Sequence, residues 1–386
     1  MPPDSEQIIS ANEGTAPGGR PTSILEELPS QYEIEGKISQ GGMGAIYKAQ
    51  NRYTGAIVAI KTIKVEAANQ QKTLQRFIAE AQACARLRHP RICQVHDFGL
   101  TESQIPFLVM DFINGIPLGK KVQRDGRIMP AEAVVIFQQI AEGLEHAHGH
   151  RVVHRDLKPD NIMLSRDEEG ATLVQIVDFG IAKVLVDDKE KDDSSQLTST
   201  GSFVGTPLFM SPEQARSKGD IDHRSDIYSF GCVMYFILAG VAPLVGSSAI
   251  ETIAKHLHQA PPEFPTRLRI PADLRAIVFK CLEKRPEDRY QSVQELSSDL
   301  KKLMLGVSIK RRPLTHEREM RRKNVIRIIY FVIGFAIMYA ISLVAQSAMG
   351  PAPHAERSSS SSSRGSGSGS SGNGSPSSGS GKSHRP

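Results

Sequence analysis

Tryptophan is absent from the 386 residues, and only four cysteines are present, Cys84, Cys93, Cys232 and Cys281, with no C-x-x-C spacing. The first absence leaves Leu, Ile, Val and Phe to build the core. The second excludes a disulfide scaffold and offers no zinc-binding or redox pair. Residues 1–30 hold several Pro and Gly but no apolar run of the roughly 7–15 residues a signal peptide needs, so 1–31 is expected to be a disordered N-terminal segment. Acidic residues are scarce where basic ones concentrate: 301–327 carries ten Lys/Arg against Glu317 and Glu319 alone. The net charge of +5 is therefore local, the rest of the chain summing to −3. Interleaved aromatics are missing from that block, which argues against a nucleic-acid partner.

The basic block runs into the most apolar stretch of the chain, IIYFVIGFAIMYAISLVA, residues 328–345, which has no charge and no polar stripe at helical spacing. At about 1.5 Å per residue it reaches roughly 27 Å, close to a bilayer core. A transmembrane helix is expected over 326–346, after a basic juxtamembrane segment at 306–325. Basic residues crowd its N-terminal side, whereas 346–363 contains only Arg357. The bulk of the chain is thus expected on the cytoplasmic side of a single-pass inner membrane protein, with 347–386 outside. That tail holds fifteen Ser and seven Gly within 358–386, the composition of a flexible coil. One large domain remains, 32–305.

Within it, YEIEGKISQGGMGAIYKAQN reads as strand, glycine-rich turn (Gly41, Gly42, Gly44) and returning strand, and GAIVAIKTIK as a third strand carrying Lys61. Glycines let backbone N–H groups approach phosphate, but the turn alone is equally an ordinary hairpin. A helical pattern over 73–87 follows, with Phe77, Ala81, Cys84 and Leu87 in an apolar stripe and Glu80 beside it. Local pattern leaves Glu80 open as a partner of Lys61 or a surface residue. After a helix over 131–148 comes VVHRDLKPDNIML, with Asp156, Lys158 and Asn161, and then LVQIVDFGIAK, with Asp178 at a strand end. Two oxygen ligands there suit Mg²⁺, which takes few protein oxygens beside phosphates and water.

These pieces stand in a fixed order: the Gly loop, VAIK at 58–61, HRDLKPDN at 154–161, DFG at 178–180, SPE at 211–213, DIYSFG at 226–231 and RPEDRYQS at 285–292. In that order they resemble a Hanks-type serine/threonine protein kinase, most closely the membrane-anchored bacterial branch. The resemblance implies an α+β, bilobal protein-kinase fold with a β-rich N-lobe and a mainly helical C-lobe. It implies ATP with Mg²⁺ or Mn²⁺ as cofactors, protein substrates with Ser/Thr acceptors, and a homodimer for trans-autophosphorylation. Asp156 would orient the acceptor hydroxyl and take its proton, Lys158 would neutralise the γ-phosphate, and Asn161 and Asp178 would hold the metal. Lys61 would contact the α/β-phosphates and pair with Glu80. Ile38, Ile46, Ala59 and Met163 match the residues that sandwich adenine, Met110 the gatekeeper, and Asp111 and Ile113 bound the hinge. Thr198 and Thr200 match activation-loop phosphorylation sites, and Thr206 the residue that seats the acceptor. Glu213 with Arg289, and Asp226 beneath the HRD backbone, match structural positions.

Lysine at 158 is the Ser/Thr form of the loop. Arg155, a cation directly before Asp156, is the arrangement in which an activation-loop phosphate orders the segment. One residue departs from the pattern: Ser39 replaces the first loop glycine, with altered ATP affinity the expected consequence. A second DFG, at 97–99, precedes HRD and reads as a strand entering a turn. The competing readings are a pseudokinase-like ATP-binding scaffold, opposed by the full catalytic set, and a small-molecule phosphotransferase, opposed by the long activation segment.

Overall fold

The structure, a computed structural model, describes residues 24–41, 44–64, 70–180, 207–216, 221–309 and, further on, 330, 331, 333, 334 and 337–340. The chain divides into two units, Met1–Arg321 and Arg322–Pro386. In the first, β1 (Tyr32–Gly41), β2 (Gly44–Asn51) and β3 (Ile57–Ile63) lead into α1 (Gln70–Ala85), followed by β4 (Val95–Leu100) and β5 (Pro106–Asp111). The five strands form an antiparallel sheet in the order β1-β2-β3-β5-β4. The second DFG lies in β4, as its position in the sequence indicated. Alternation decides the faces: in β3, Val58, Ile60 and their neighbours are buried on both sides because α1 covers one face.

Beyond the sheet come β6 (Ile116–Pro117), α2 (Leu118–Asp125), α3 (Pro130–Gly149), β7 (Ile162–Arg166) and β8 (Thr172–Ile176), the three strands forming a second small sheet. α4 (Pro212–Ala215), α5 (His223–Ala239), α6 (Ala249–His258), α7 (Ala272–Cys281) and α8 (Val293–Met304) complete the helical lobe. Their starts are written in the sequence. Ser211, Asp222, Ser248 and Ser292 each accept a hydrogen bond from a backbone N–H of the first turn, satisfying donors that have no helical partner. Gly240, at φ 79°, ends α5 in the left-handed conformation. Phe137, Ile140, Leu144, Tyr228, Phe230, Leu274 and Leu296 are buried in one core. All four cysteines are buried there or in the small lobe, none in a disulfide.

The N-terminal boundary differs from expectation. Residues 24–31 are part of the fold: Leu28 is buried against Tyr32, Ala49, Val58, Ile60, Phe107 and Val109. Glu27 accepts hydrogen bonds from the Ser103 N–H at 2.8 Å and its hydroxyl at 2.7 Å. Leu28 is apolar enough to cover the outer face of the sheet, and the Pro and Gly of 1–30 hid that contribution. Leu28→Ala is expected to cost about 2 kcal/mol or more, read as a lower denaturant midpoint. At the other end, Ile309 is still buried, past the expected limit at 305.

Most of the expected span, 326–346, lies outside the described residues, as do 306–325 from 310 onward and all of 347–386. In the second unit, the described residues Tyr330, Phe331, Ile333, Gly334, Ile337, Met338, Tyr339 and Ala340 are helical and exposed. Among the described residues no helix is long and apolar enough to cross a membrane.

Four histidines set the acid limit of the domain. Burial lowers the pKa of His89, His146 and His154 below the ordinary 6.5, and that of His256 to about 4. The unfolded chain therefore binds these protons first, and stability present above about pH 6.5 is lost as pH falls towards the folded values. Asp226 and Glu213 extend the loss to lower pH. Burial alone would raise both, but hydrogen bonds and cations, from His148 for Asp226 and Arg289 for Glu213, bring them below the usual range. The melting temperature is expected to fall steadily between pH 7 and 4.5. His256→Gln should flatten that slope, removing a dependence on the order of 3 kcal/mol.

Candidate active site

Two loops carry the chemistry, and one buried carboxylate fixes the first of them. Asp226, on α5 and 1% exposed, accepts the backbone N–H groups of His154 at 2.7 Å and Arg155 at 2.9 Å, and contacts His148 Nε2 at 2.8 Å. This is the brace expected from its position. His154 Nδ1 accepts the Asp156 N–H at 3.2 Å, which leaves its Nε2–H to donate to the Val177 carbonyl at 3.1 Å, on the second loop. The Gly180 N–H donates to the His154 carbonyl at 2.8 Å. A Cβ on Gly180 would lie 2.6 Å from that oxygen, so glycine is required for the loops to close on each other. Arg155 (φ 62°) and Asp178 (φ 57°) both adopt left-handed backbone, conformations that side-chain-bearing residues hold mainly where the surroundings enforce them.

Around this junction the expected catalytic groups converge. Lys158 Nζ donates to Asp156 Oδ2 at 2.8 Å. Asn161 Nδ2 donates to the Asp156 carbonyl at 2.9 Å and to its Oδ2 at 3.2 Å. Lys61, Cys84, Met110, Asp156, Asn161 and Asp178 line one cavity of about 140 Å³. Ala59 and Met110 are buried with Cys93, and Ile46, Phe112, Ile113 and Val177 pack against them, an apolar cluster whose Cys93 and Met110 also line the cavity. Ile38, half exposed, lies on β1, Ser39 pairs with Ile46 and Gly41 with Gly44 across the β1–β2 hairpin. Gly44 has φ 141°, and a Cβ there would meet the Thr62 carbonyl at 1.9 Å. Met163 lies on β7, opposite Pro117 and Gln175. Asp111 ends β5; its carboxylate takes the Gln94 N–H at 3.1 Å and contacts His96 at 2.7 Å, so its side chain braces β4. Gly42, Thr198, Thr200 and Thr206 lie outside the described residues.

The ion pairing differs from expectation. Lys61 Nζ lies 2.8 Å from Asp178 Oδ1, and Glu80 Oε1 is instead 3.2 Å from Arg155 Nη1. All four side chains are between 16% and 32% exposed, so the exchange of partners satisfies every charge without burying one alone. Arg155 is thus a site residue in its own right. Its only signal in the sequence was its place beside Asp156. Its backbone carbonyl is held by Gln214 Nε2 at 2.7 Å, which ties the Asp156 loop to the SPE turn.

The donor set fits a hard divalent cation. With Asn161 Nδ2 turned to Asp156, its amide oxygen is left as an acceptor, and Asn161 and Asp178 line the same cavity. Among the described residues no three His, Cys, Asp or Glu are spaced to cage a metal. Two protein oxygens with phosphate and water completing the shell is the pattern Mg²⁺ favours.

A protein kinase domain family matches residues 32–300. The chain is 36% identical over 279 residues to the serine/threonine-protein kinase PknB of Mycolicibacterium smegmatis, covering 71% of this chain and 43% of that protein. It is 36% identical over 281 residues to the serine/threonine-protein kinase pkn3 of Myxococcus xanthus, covering 72% and 50%. The chain thus spans about half the length of the curated relatives it matches. Among solved structures, Rad53 residues 1–466 in complex with AMP-PNP superposes with a TM-score of 0.57 at 26% identity, covering 72% of this chain and 65% of that one. The kinase domain of PknI from Mycobacterium tuberculosis, a double mutant, gives 0.56 at 22%, covering 71% and 96%, a likeness of fold. With catalytic groups, brace and lobes in this arrangement, the chain belongs to the protein kinase family, on its bacterial Hanks-type serine/threonine branch.

Proposed function

We propose that the chain transfers the γ-phosphoryl group of ATP to serine and threonine hydroxyls of protein substrates at the cytoplasmic face of a membrane. The observation that carries this reading is the convergence of Lys61, Asp156, Lys158, Asn161 and Asp178 on one cavity. Bound Mg²⁺, held by Asn161 and Asp178, would neutralise phosphate charge. The protein's own work is positioning and electrostatics. Asp156 accepts the hydroxyl proton through a carboxylate that Lys158 and Asn161 already hold in place by hydrogen bonds to Oδ2. Lys158 turns one ammonium hydrogen to Asp156 and has others for the transferred phosphoryl group. Lys61 meets the α/β-phosphates, and Met110 and Ala59 exclude water from the base.

Activation follows from the exchanged ion pairs. A phosphate on Thr198 or Thr200 offers Arg155 a stronger anionic partner than Glu80. Glu80 is then released towards Lys61, and Asp178 towards the metal. The apolar run at 328–345 behind the basic collar supports anchoring through 326–346, with 347–386 outside. Trans-phosphorylation between two copies in the membrane is part of the same reading.

The test is incubation of the purified chain with γ-labelled ATP, Mg²⁺ and a generic acceptor protein, followed by acid hydrolysis. Label should appear on phosphoserine and phosphothreonine and be absent from phosphotyrosine. An unlabelled acceptor would refute the proposal. The membrane component is tested separately by adding protease to intact spheroplasts, which should digest the 347–386 tail and leave the kinase domain protected; the reverse pattern would refute that orientation.

A further inference from the structure

α6 is packed against the segment that follows Thr206, and its inner face carries a histidine that the reaction does not explain. His256 is 0% exposed. Its Nδ1 lies 2.9 Å from the Tyr228 hydroxyl, itself fully buried on α5, and Lys284 Nζ lies 2.9 Å from the same hydroxyl. The donor inventory fixes the direction of this chain. An ammonium only donates, so the Tyr228 oxygen accepts from Lys284 and its O–H is left for His256 Nδ1. A neutral imidazole that accepts at Nδ1 carries its proton at Nε2. Burial first, and then the charge of Lys284, lowers the His256 pKa to about 4, which keeps the ring neutral at pH 7.

The Nε2–H that results is buried without a hydrogen-bond partner, a position that buried donors rarely hold unless something completes it. The backbone of Leu208 acts on His256 as an acceptor does, raising its pKa against the other influences, and with Nδ1 taken by Tyr228 the ring nitrogen left to meet it is Nε2. No bond of ordinary geometry is yet closed. The next carbonyl along, that of Phe209, is already held by Ser229 Oγ at 2.7 Å. In the sequence Leu208 and Phe209 lie between Thr206, the residue read as seating the acceptor hydroxyl, and the SPE turn, which makes this stretch the candidate peptide-contacting segment. The chain has a rigid base as well. The Arg289 guanidinium stacks on the Tyr228 ring at 4.9 Å while clamping Glu213.

We propose that His256 is a positioning residue for the acceptor-binding segment. Its Nε2–H, oriented by Lys284 and Tyr228, closes onto the Leu208 carbonyl when a peptide engages and so sets peptide affinity. The inference deepens the phosphotransfer reading and rests on it for its biological meaning. No proton changes place; the three side chains form a fixed series of donors.

The full chain is compared as wild type, His256→Leu, which has no donor, and His256→Gln, whose Nε2 can reach the same carbonyl. His256→Leu should raise KM for a Ser/Thr acceptor peptide about 5–10-fold, with kcat and KM for ATP within about twofold. His256→Gln should restore the wild-type KM. Amide hydrogen exchange across 207–211, measured with saturating acceptor peptide bound, should quicken in His256→Leu and return to wild-type rates in His256→Gln. That exchange needs no turnover, so if the wild type phosphorylates nothing, the phosphotransfer reading falls and the contact itself is still decided. Equal exchange and equal peptide KM in all three proteins overturn the inference. So does a His256→Gln that matches His256→Leu, or a fall in kcat, ATP affinity and melting temperature together. Should His256→Leu fail to fold, Tyr228→Phe removes the Nδ1 donor and is read by the same exchange experiment.

Discussion

Asp156→Asn abolishes measurable phosphoryl transfer while leaving the domain folded. The carboxylate is 19% exposed, and its Oδ2 already accepts from Lys158 and Asn161. An amide there keeps the size and most of the packing but cannot take a proton from an attacking hydroxyl. Loss of a positioned base costs roughly 10²–10⁴-fold in rate. Asparagine also presents donors towards Lys158 and Asn161, which are donors themselves, so the local geometry loosens and the loss should lie at the upper end. Initial-rate assays with labelled ATP measure it, beside a thermal melt that should move little. A variant with more than a tenth of wild-type turnover would show that Asp156 is not the base.

Arg289→Met has the largest expected effect on stability. Arg289 has a fully buried side chain and meets Glu213 through two parallel bonds of 2.8 Å. It also donates to the carbonyls of Glu283 and Arg224 at 2.8 Å and of Lys284 at 3.2 Å. Methionine keeps much of the volume and strands Glu213, which is 11% exposed and otherwise shares one oxygen with Ser225. Breaking one side of a buried pair costs about 3–5 kcal/mol, on the order of a 10 °C drop in melting temperature for a domain of this size. Lysine should fail as well, because it cannot reproduce the planar fork. The double variant Arg289→Met with Glu213→Leu should recover part of the loss, since no uncompensated carboxylate remains. If the double variant is worse than the sum of the singles, the pair is not the unit described here.

What could be read in the sequence was chemistry held at short, fixed spacing. Asp156, Lys158 and Asn161 lie within one loop, so their types and intervals carry the geometry with them, and the same holds for Asp178 before glycine. The order of motifs conveyed the bilobal architecture, and the place of Asp97 ahead of HRD was enough to assign it to a strand. The choice between partners was not legible. Lys61, Glu80, Arg155 and Asp178 come from four distant parts of the chain, and two cations with two carboxylates can pair in either of two ways. Small lobe placement decides which, and no local pattern reports it. Leu28 was hidden by the company it keeps, and His256 by being one histidine among twelve. Its role depends on a lysine and a tyrosine that meet it only in the folded domain.

The burial of the four cysteines has a practical consequence. Burial raises the thiol pKa of every one, Cys84 and Cys232 to about 12 and Cys93 and Cys281 further. Thiolate is the species that reacts with maleimides and iodoacetamides, so the folded chain is nearly silent to both. A single cysteine placed on an exposed site, such as Tyr53 at 84% exposure, would be the only fast-reacting thiol. Fluorophores or spin labels could then be attached for distance measurements without first removing the native cysteines.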